Sequence, residues 1–252
     1  MKNSNQYNTN GVILFEGASL LDGAPIVVIA TGLDAASANT KTGGMIQTWI
    51  LRADMAPTDA VKNGSDASIC GDCIHRGSVL PNSIKAPADR SCYVLHWQAP
   101  LSVYKAYKNG RYAYASIEQF KNLDVRFGSY GDPSAVPVKI WRDIKNVCSG
   151  STGYSQQWET CDAEMNLYVM ASVHSESQAK RAQLKGYRTF RVKNLNDKKL
   201  KNEANCPASI EAGHKLTCEQ CLACDGANGR RGSITINAHG APAKILSFKM
   251  VS

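Results

Sequence analysis

Four of the nine cysteines fall within the stretch CPASIEAGHKLTCEQCLACDG, at Cys206, Cys218, Cys221 and Cys224, and no other feature restricts the chain as tightly. Thiolates are soft ligands, and four of them fill the coordination shell of a zinc ion or anchor one cubane iron–sulfur cluster. Three cysteines at two-residue intervals wrap a loop or helix start around one side of a metal. The remote Cys206, stiffened by Pro207, then closes the shell from the other side. Zinc sites more often pair two separated C-x2-C knuckles, so this triplet spacing predicts a [4Fe–4S] cluster, with zinc as the alternative. Structural thiols or disulfides are the plain competing reading.

The expected compartment weighs against disulfides. The N-terminal MKNSNQYNTN is polar and lacks the apolar centre of a secretory signal. No apolar run approaches the roughly 20 residues of a membrane-spanning helix. Both point to cytoplasm and to no membrane partner, and there clustered cysteines mean metal or redox chemistry. At 252 residues the chain buries a full-sized core. The expected division is an N-terminal β segment, residues 1–55, packed on an α/β metal-binding domain, residues 56–252.

A net charge of +8 and a pI near 9.0 suggest an acidic partner, nucleic acid first. The excess is concentrated in Lys180, Arg181, Lys185, Arg188, Arg191, Lys193, Lys198, Lys199 and Lys201, against Asp197 alone in that span. Lys193, Lys198, Lys199 and Lys201 are the candidate phosphate contacts. A solvated helix face followed by a basic loop competes evenly with that reading.

Taken in order, the chain opens with apolar runs at 11–16 and 25–31 around the turn residues of 21–25, which read as two strands of a hairpin. The small, polar GLDAASANTKTGGM lacks the spacing of a phosphate-binding loop. Residues 45–51 resume a strand, and Pro57 starts a short helix. A second cysteine group follows, Cys70, Cys73 and, 19 residues on, Cys92, with His75 as a possible fourth ligand. It would hold a second metal, or supply three thiolates to a cluster whose fourth iron stays open to substrate. Helices are expected over 99–107, from a capping box at Ser116 and Gln119 to Leu123, over 136–147, and over 176–185. Strands are expected over 124–130, 153–158, 166–173 and 187–192, then a last β region at 233–238 and 244–250. Cys148 and Cys161 flank a glycine-serine loop as free thiols.

Alternating strands and helices predict a parallel sheet or barrel with ligands beyond the strands' C-terminal ends. The residues expected there are Ser129, Tyr130, Asp132, Gln156, Gln157, Trp158, Ser172, His174, Ser175, Lys193 and His239. Asp132 and His174 are the candidate catalytic groups, although a loop Asp after a strand is more often a helix cap. No Ser-His-Asp order, H-E-x-x-H or G-x-G-x-x-G is present.

Six stretches carry a resemblance: Lys41-Thr-Gly-Gly-Met-Ile-Gln-Thr-Trp-Ile-Leu, Cys70-Gly-Asp-Cys73-Ile-His75-Arg, Gly128-Ser-Tyr-Gly-Asp132-Pro, Gly153-Tyr-Ser-Gln-Gln-Trp158, Met170-Ala-Ser-Val-His-Ser175 and Cys206-Pro-Ala-Ser. They resemble an uncharacterised family carried by bacteriophages and related mobile elements. That resemblance implies a bacterial host cytoplasm and little chemistry. More loosely, the strand–helix alternation with cysteine groups looks like the partial barrels of radical-SAM-type enzymes. Their C-x3-C-x2-C signature is absent, so cleavage of S-adenosylmethionine does not carry over.

The expectation is therefore an α/β protein, a partial or irregular (β/α) barrel with an N-terminal β segment and a C-terminal cysteine-bound metal. Its expected function is that of a phage-encoded iron–sulfur protein that binds or acts on nucleic acid. The alternatives are a zinc-stabilised, non-enzymatic factor that binds nucleic acid or a host protein, and a radical-type enzyme on nucleotides or modified bases. Whether the chain is an enzyme is open at this level.

Overall fold

The structure, a computed structural model, describes residues 10–36, 39–80, 85–210, 213–227, 231–239 and 242–251. The polar N-terminal stretch, apart from Asn10, lies outside these residues, as do 37–38 of the glycine-rich loop. The strands are β1 (Gly11–Ala18), β2 (Pro25–Thr31), β3 (Ile46–Arg52), β4 (Ala113–Tyr114), β5 (Asp124–Tyr130), β6 (Gly150–Ser155), β7 (Met170–Val173), β8 (Thr189–Lys193), β9 (Glu203–Asn205) and β10 (Ser233–Asn237). The helices are α1 (Pro57–Asn63), α2 (Ala67–Cys70), α3 (Ala99–Lys108), α4 (Val138–Val147), α5 (Glu176–Leu184), α6 (Cys218–Cys221) and α7 (Pro242–Val251). Among the described residues no helix is long and apolar enough to cross a membrane.

All ten strands form one sheet in the order β4-β1-β2-β3-β5-β6-β7-β8-β10-β9. β1, β2 and β3 are an antiparallel meander, and from β3 to β9 every neighbouring pair runs parallel. β2 is apolar on both faces, with Ile26 through Ala30 fully buried, as a central strand requires. The sheet is open, with β4 and β9 at its edges. The expected barrel is not formed among the described residues, because short strands extend both edges instead of pairing with each other.

Side-chain alternation assigns each face of the parallel part a task. Val125 and Phe127 of β5 and Ala171 and Val173 of β7 belong to the main core with Trp141 and Ile144 of α4 and Ala179 and Ala182 of α5. Phe127 packs on Trp141 with ring centres 4.9 Å apart. The pairing register puts Arg126, Tyr154, Ser172, Phe190, Val192 and Ile236 on the opposite face. There Met170, Ile234 and Ile236 form a second, smaller core with Cys206, Ala208 and Cys224. The C-terminal cysteine segment is thus packed onto the face that the helices leave open.

Several boundaries differ from the sequence reading. Residues 244–250 are not strand: α7 covers them, started by Pro242, whose fixed φ and missing N–H suit a helix's first turn. The capping box at Ser116 and Gln119 is formed, but it opens a 3-10 turn that ends at Phe120. β6 begins at Gly150, inside the supposed glycine-serine loop, where a side chain would strike Leu222 and Asp124. Residues 163–167 make a 3-10 turn, which delays β7 to Met170.

Candidate functional site

A cavity of about 270 Å³ lies over the open face and the C-terminal strand ends. Cys70, Cys73 and Cys92 line it, and so do Cys206 and Cys218. Two thiol groups far apart in sequence therefore meet one space. All nine cysteines are free, so none is held in a disulfide.

The first group sits on a loop fixed by a buried carboxylate. Asp66 takes Arg76 Nη2 at 2.7 Å and Nε at 3.0 Å, and Arg90 Nη1 at 3.3 Å. Arg76 also donates to the carbonyls of Gly71 at 2.7 Å and Gly64 at 2.8 Å, so one guanidinium closes the turn around Cys70 and Cys73. Cys92 N–H donates to the His75 carbonyl at 3.0 Å and joins the third cysteine to the first two. Asp132 N–H donates to the Ile69 carbonyl at 2.6 Å, which docks this loop on the end of β5. Gly131 makes that approach possible: its φ is +82°, and a Cβ there would lie 2.9 Å from the Ile50 carbonyl oxygen.

The second group is held by strand and loop backbone. Cys206 N–H donates to the Thr235 carbonyl at 2.8 Å, and Gly153 N–H to the Cys224 carbonyl at 3.0 Å. Thr217 caps α6 and forms a capping box with Gln220. Cys218 N–H reaches the Lys41 carbonyl at 2.9 Å, and Glu219 accepts from Gly44 N–H at 2.9 Å. Arg188 pairs with Asp225 at 2.7 Å and donates to the carbonyls of Ala223, Gly226 and Gly232, fixing the turn after Cys224.

Burial pushes the thiols up: Cys70 well above its ordinary range, Cys73 and Cys224 to about 12, and Cys206 and Cys218 less far. They are protonated at neutral pH, so a metal binding there must displace protons. Among the described residues no group of three or more His, Cys, Asp or Glu side chains is placed to hold a metal ion.

Two imidazoles line the same cavity. His75 and His174 meet edge to face with ring centres 5.1 Å apart, and Phe248 of α7 stacks on His75 at 5.7 Å. Burial lowers both pKa values to about 4, with His174 and Arg90 adding to the effect at His75, so both rings are neutral at pH 7. His174 Nε2 lies 2.9 Å from Gln156 Oε1, and its buried Nδ1 has no partner.

Of the strand-end residues read from the sequence, Ser129, Tyr130, Asp132, Gln156, Ser172, His174 and His239 all line the cavity. Asp132 is saturated there: Ser134 N–H and Oγ donate to Oδ1, and Gln156 N–H donates to Oδ2 at 2.6 Å. Its carboxyl caps a 3-10 turn and ties the ends of β5 and β6 together, and burial raises its pKa. Lys193 is buried, with its ammonium on the carbonyls of Asn194 and Asp197. Arg191 pairs with buried Glu203 at 2.7 Å, and Lys180 and Arg181 with Glu176 and Glu159. Lys198, Lys199 and Lys201 are exposed on the loop after β8. Sequence reading passed over Arg126, Lys41, Tyr93, Tyr154 and Phe248, all in the cavity wall. A lone arginine in the apolar alternation of β5 was the available signal. No protein-family model, no curated protein and no solved structure matches the chain.

Proposed function

We propose that the protein is an iron–sulfur redox enzyme whose substrate occupies the cavity between the two cysteine groups. The observation that carries this reading is the convergence of Cys70, Cys73 and Cys92 with Cys206 and Cys218 on one cavity wall. The donor chemistry fits: three thiols in one group and four in the other, all at least half-buried, beside neutral imidazoles. A single zinc ion needs ligands converging at about 2.3 Å, whereas a cubane spreads its thiolates over separate corners. Either group would have to draw together on loading. Cys206, Cys218, Cys221 and Cys224 would hold one [4Fe–4S] cluster completely, for electron transfer or stability. Cys70, Cys73 and Cys92 would hold a second with one iron open to the cavity. When bound, such a group supplies one-electron chemistry. The chain itself contributes a cavity, neutral histidines beside it, and an anchored loop for the three thiols.

The test is metal content and colour of protein purified without oxygen. Brown protein with about four irons and four sulfides per occupied site is expected. Colourless protein with stoichiometric zinc would overturn the proposal in favour of a zinc-stabilised binding protein.

A further inference from the structure

Arg126 lies on the cavity face of β5, partly buried, its guanidinium carbon 5.3 Å from the centre of the Tyr154 ring. A guanidinium stays protonated in any protein environment. Among the described residues no carboxylate comes within ion-pair distance of it. A second cation faces the same cavity. Lys41 Nζ lies 3.0 Å from His239 Nε2, and His239 Nδ1 lies 2.9 Å from the Asn237 carbonyl oxygen. A carbonyl only accepts, so the proton sits on Nδ1 and Nε2 accepts from the lysine. His239 thus orients the ammonium without balancing its charge.

Among the described residues the one carboxylate in the cavity wall is Asp132, already taken by Ser134 and Gln156. Two positive charges therefore face this space, and no carboxylate of the described residues is free to balance them. Withdrawing a charge from water without a partner is costly, and a bound anion offsets that cost. Tyr93, Tyr154, Phe190, Val192 and Ile236 add an aromatic and apolar part to the wall.

We propose that the cavity binds a small organic anion, a carboxylate or a phosphate ester, with its charged group on Arg126 and Lys41 and its apolar or aromatic body against Tyr93, Tyr154 and Phe190. This names the ligand class of the cavity taken above as the substrate site, and rests on that reading only for calling the ligand a substrate. The planar fork of Arg126 suits two oxygens of one anion, and the lysine adds a point charge.

Calorimetric titration of the purified protein, its metal content recorded beforehand, tests this with phenyl phosphate and benzoate as anionic probes and phenol as the neutral control. One anion is expected to bind with unit stoichiometry, phenol far more weakly. The preferred anion tells phosphate ester from carboxylate. Arg126→Gln is expected to weaken binding roughly ten- to a hundredfold, the loss of charge-assisted hydrogen bonds, with Arg126→Lys between. The ligand-free Arg126→Gln protein should melt at the same temperature or higher, since an uncompensated charge is gone. Should that variant not fold, Lys41→Gln carries the same expectation. Phenol binding as tightly as the anions, unaltered affinity in the variants, or no binding of either anion would overturn the proposal. Arg126 would then be a counter-charge for metal-bound thiolates. Binding is read without turnover, so colourless protein that still takes the anion would remove the cluster and leave this site standing.

Discussion

His174 Nε2–H is spent on Gln156, while its Nδ1 lone pair faces protein with nothing to accept from. Protonating that nitrogen would place a charge in a buried pocket beside the neutral His75 ring, which is why burial lowers the pKa to about 4. The unfolded chain takes up the proton near 6.5 and the folded chain only near 4. Stability from this residue is therefore fully present above pH 6.5 and lost as pH falls through 4, by on the order of 3 kcal/mol at most. Asp132 works the other way, since burial raises its pKa and acid relieves it. The difference between wild type and a His174→Gln variant isolates the histidine. Denaturant midpoints followed from pH 7 to pH 4 should fall less steeply in the variant, and identical acid limbs would refute the assignment.

At the scale of elements, the first cysteine loop depends on one buried side chain. Asp66 is 1% exposed and holds two arginines, Arg90 at 3% exposed and Arg76. Asp66→Asn leaves both cations without their counter-charge, and breaking a buried pair this way costs about 3–5 kcal/mol. Arg76→Gln should cost less, because its guanidinium is closer to solvent. Urea unfolding measures both, and a loss below about 1 kcal/mol for Asp66→Asn would mean that the loop is held by backbone contacts alone. Nothing in the sequence marked Asp66, because its partners lie up to 24 residues away and only folding joins them. Local signals fared better. Alternation and turn residues set β2 and β5 to the residue, and Ser175 caps α5 as its position before the helix suggested. The C-terminal segment was misread because Ile245, Leu246 and Phe248 give no clear period, and only Pro242 signals the helix. Most of the residues named by the strand-end rule do line the cavity, since parallel strands bring their ends together whatever the side chains are. It missed Arg126 and Tyr154, which lie within strands and reach the cavity only because one sheet face is open.

For the whole molecule, the question is whether two thiol groups around one cavity make one metal site or two. Their supports are separate. Asp66, Arg76 and Arg90 hold the first group, whereas the second rests on Arg188 with Asp225, on Thr235, and on the Lys41–Gly44 segment. Electrostatic influence follows the same division: Cys73 and Cys92 act on Cys70, and Cys206, Cys218 and Cys221 act on Cys224. Two independent sites are the expected result. Cys73→Ala should lower bound iron to roughly that of one cluster and leave the remainder intact, and Cys221→Ala should remove the complementary share. The two losses should add, because distant sites with no shared partner are additive. The fold should suffer more from the second change, since Cys206 and Cys224 are part of a small core that would lose its order together with the metal. Iron and sulfide analysis with spin quantification of each variant measures this, and complete loss of iron from either substitution would show a single shared site bridging the cavity.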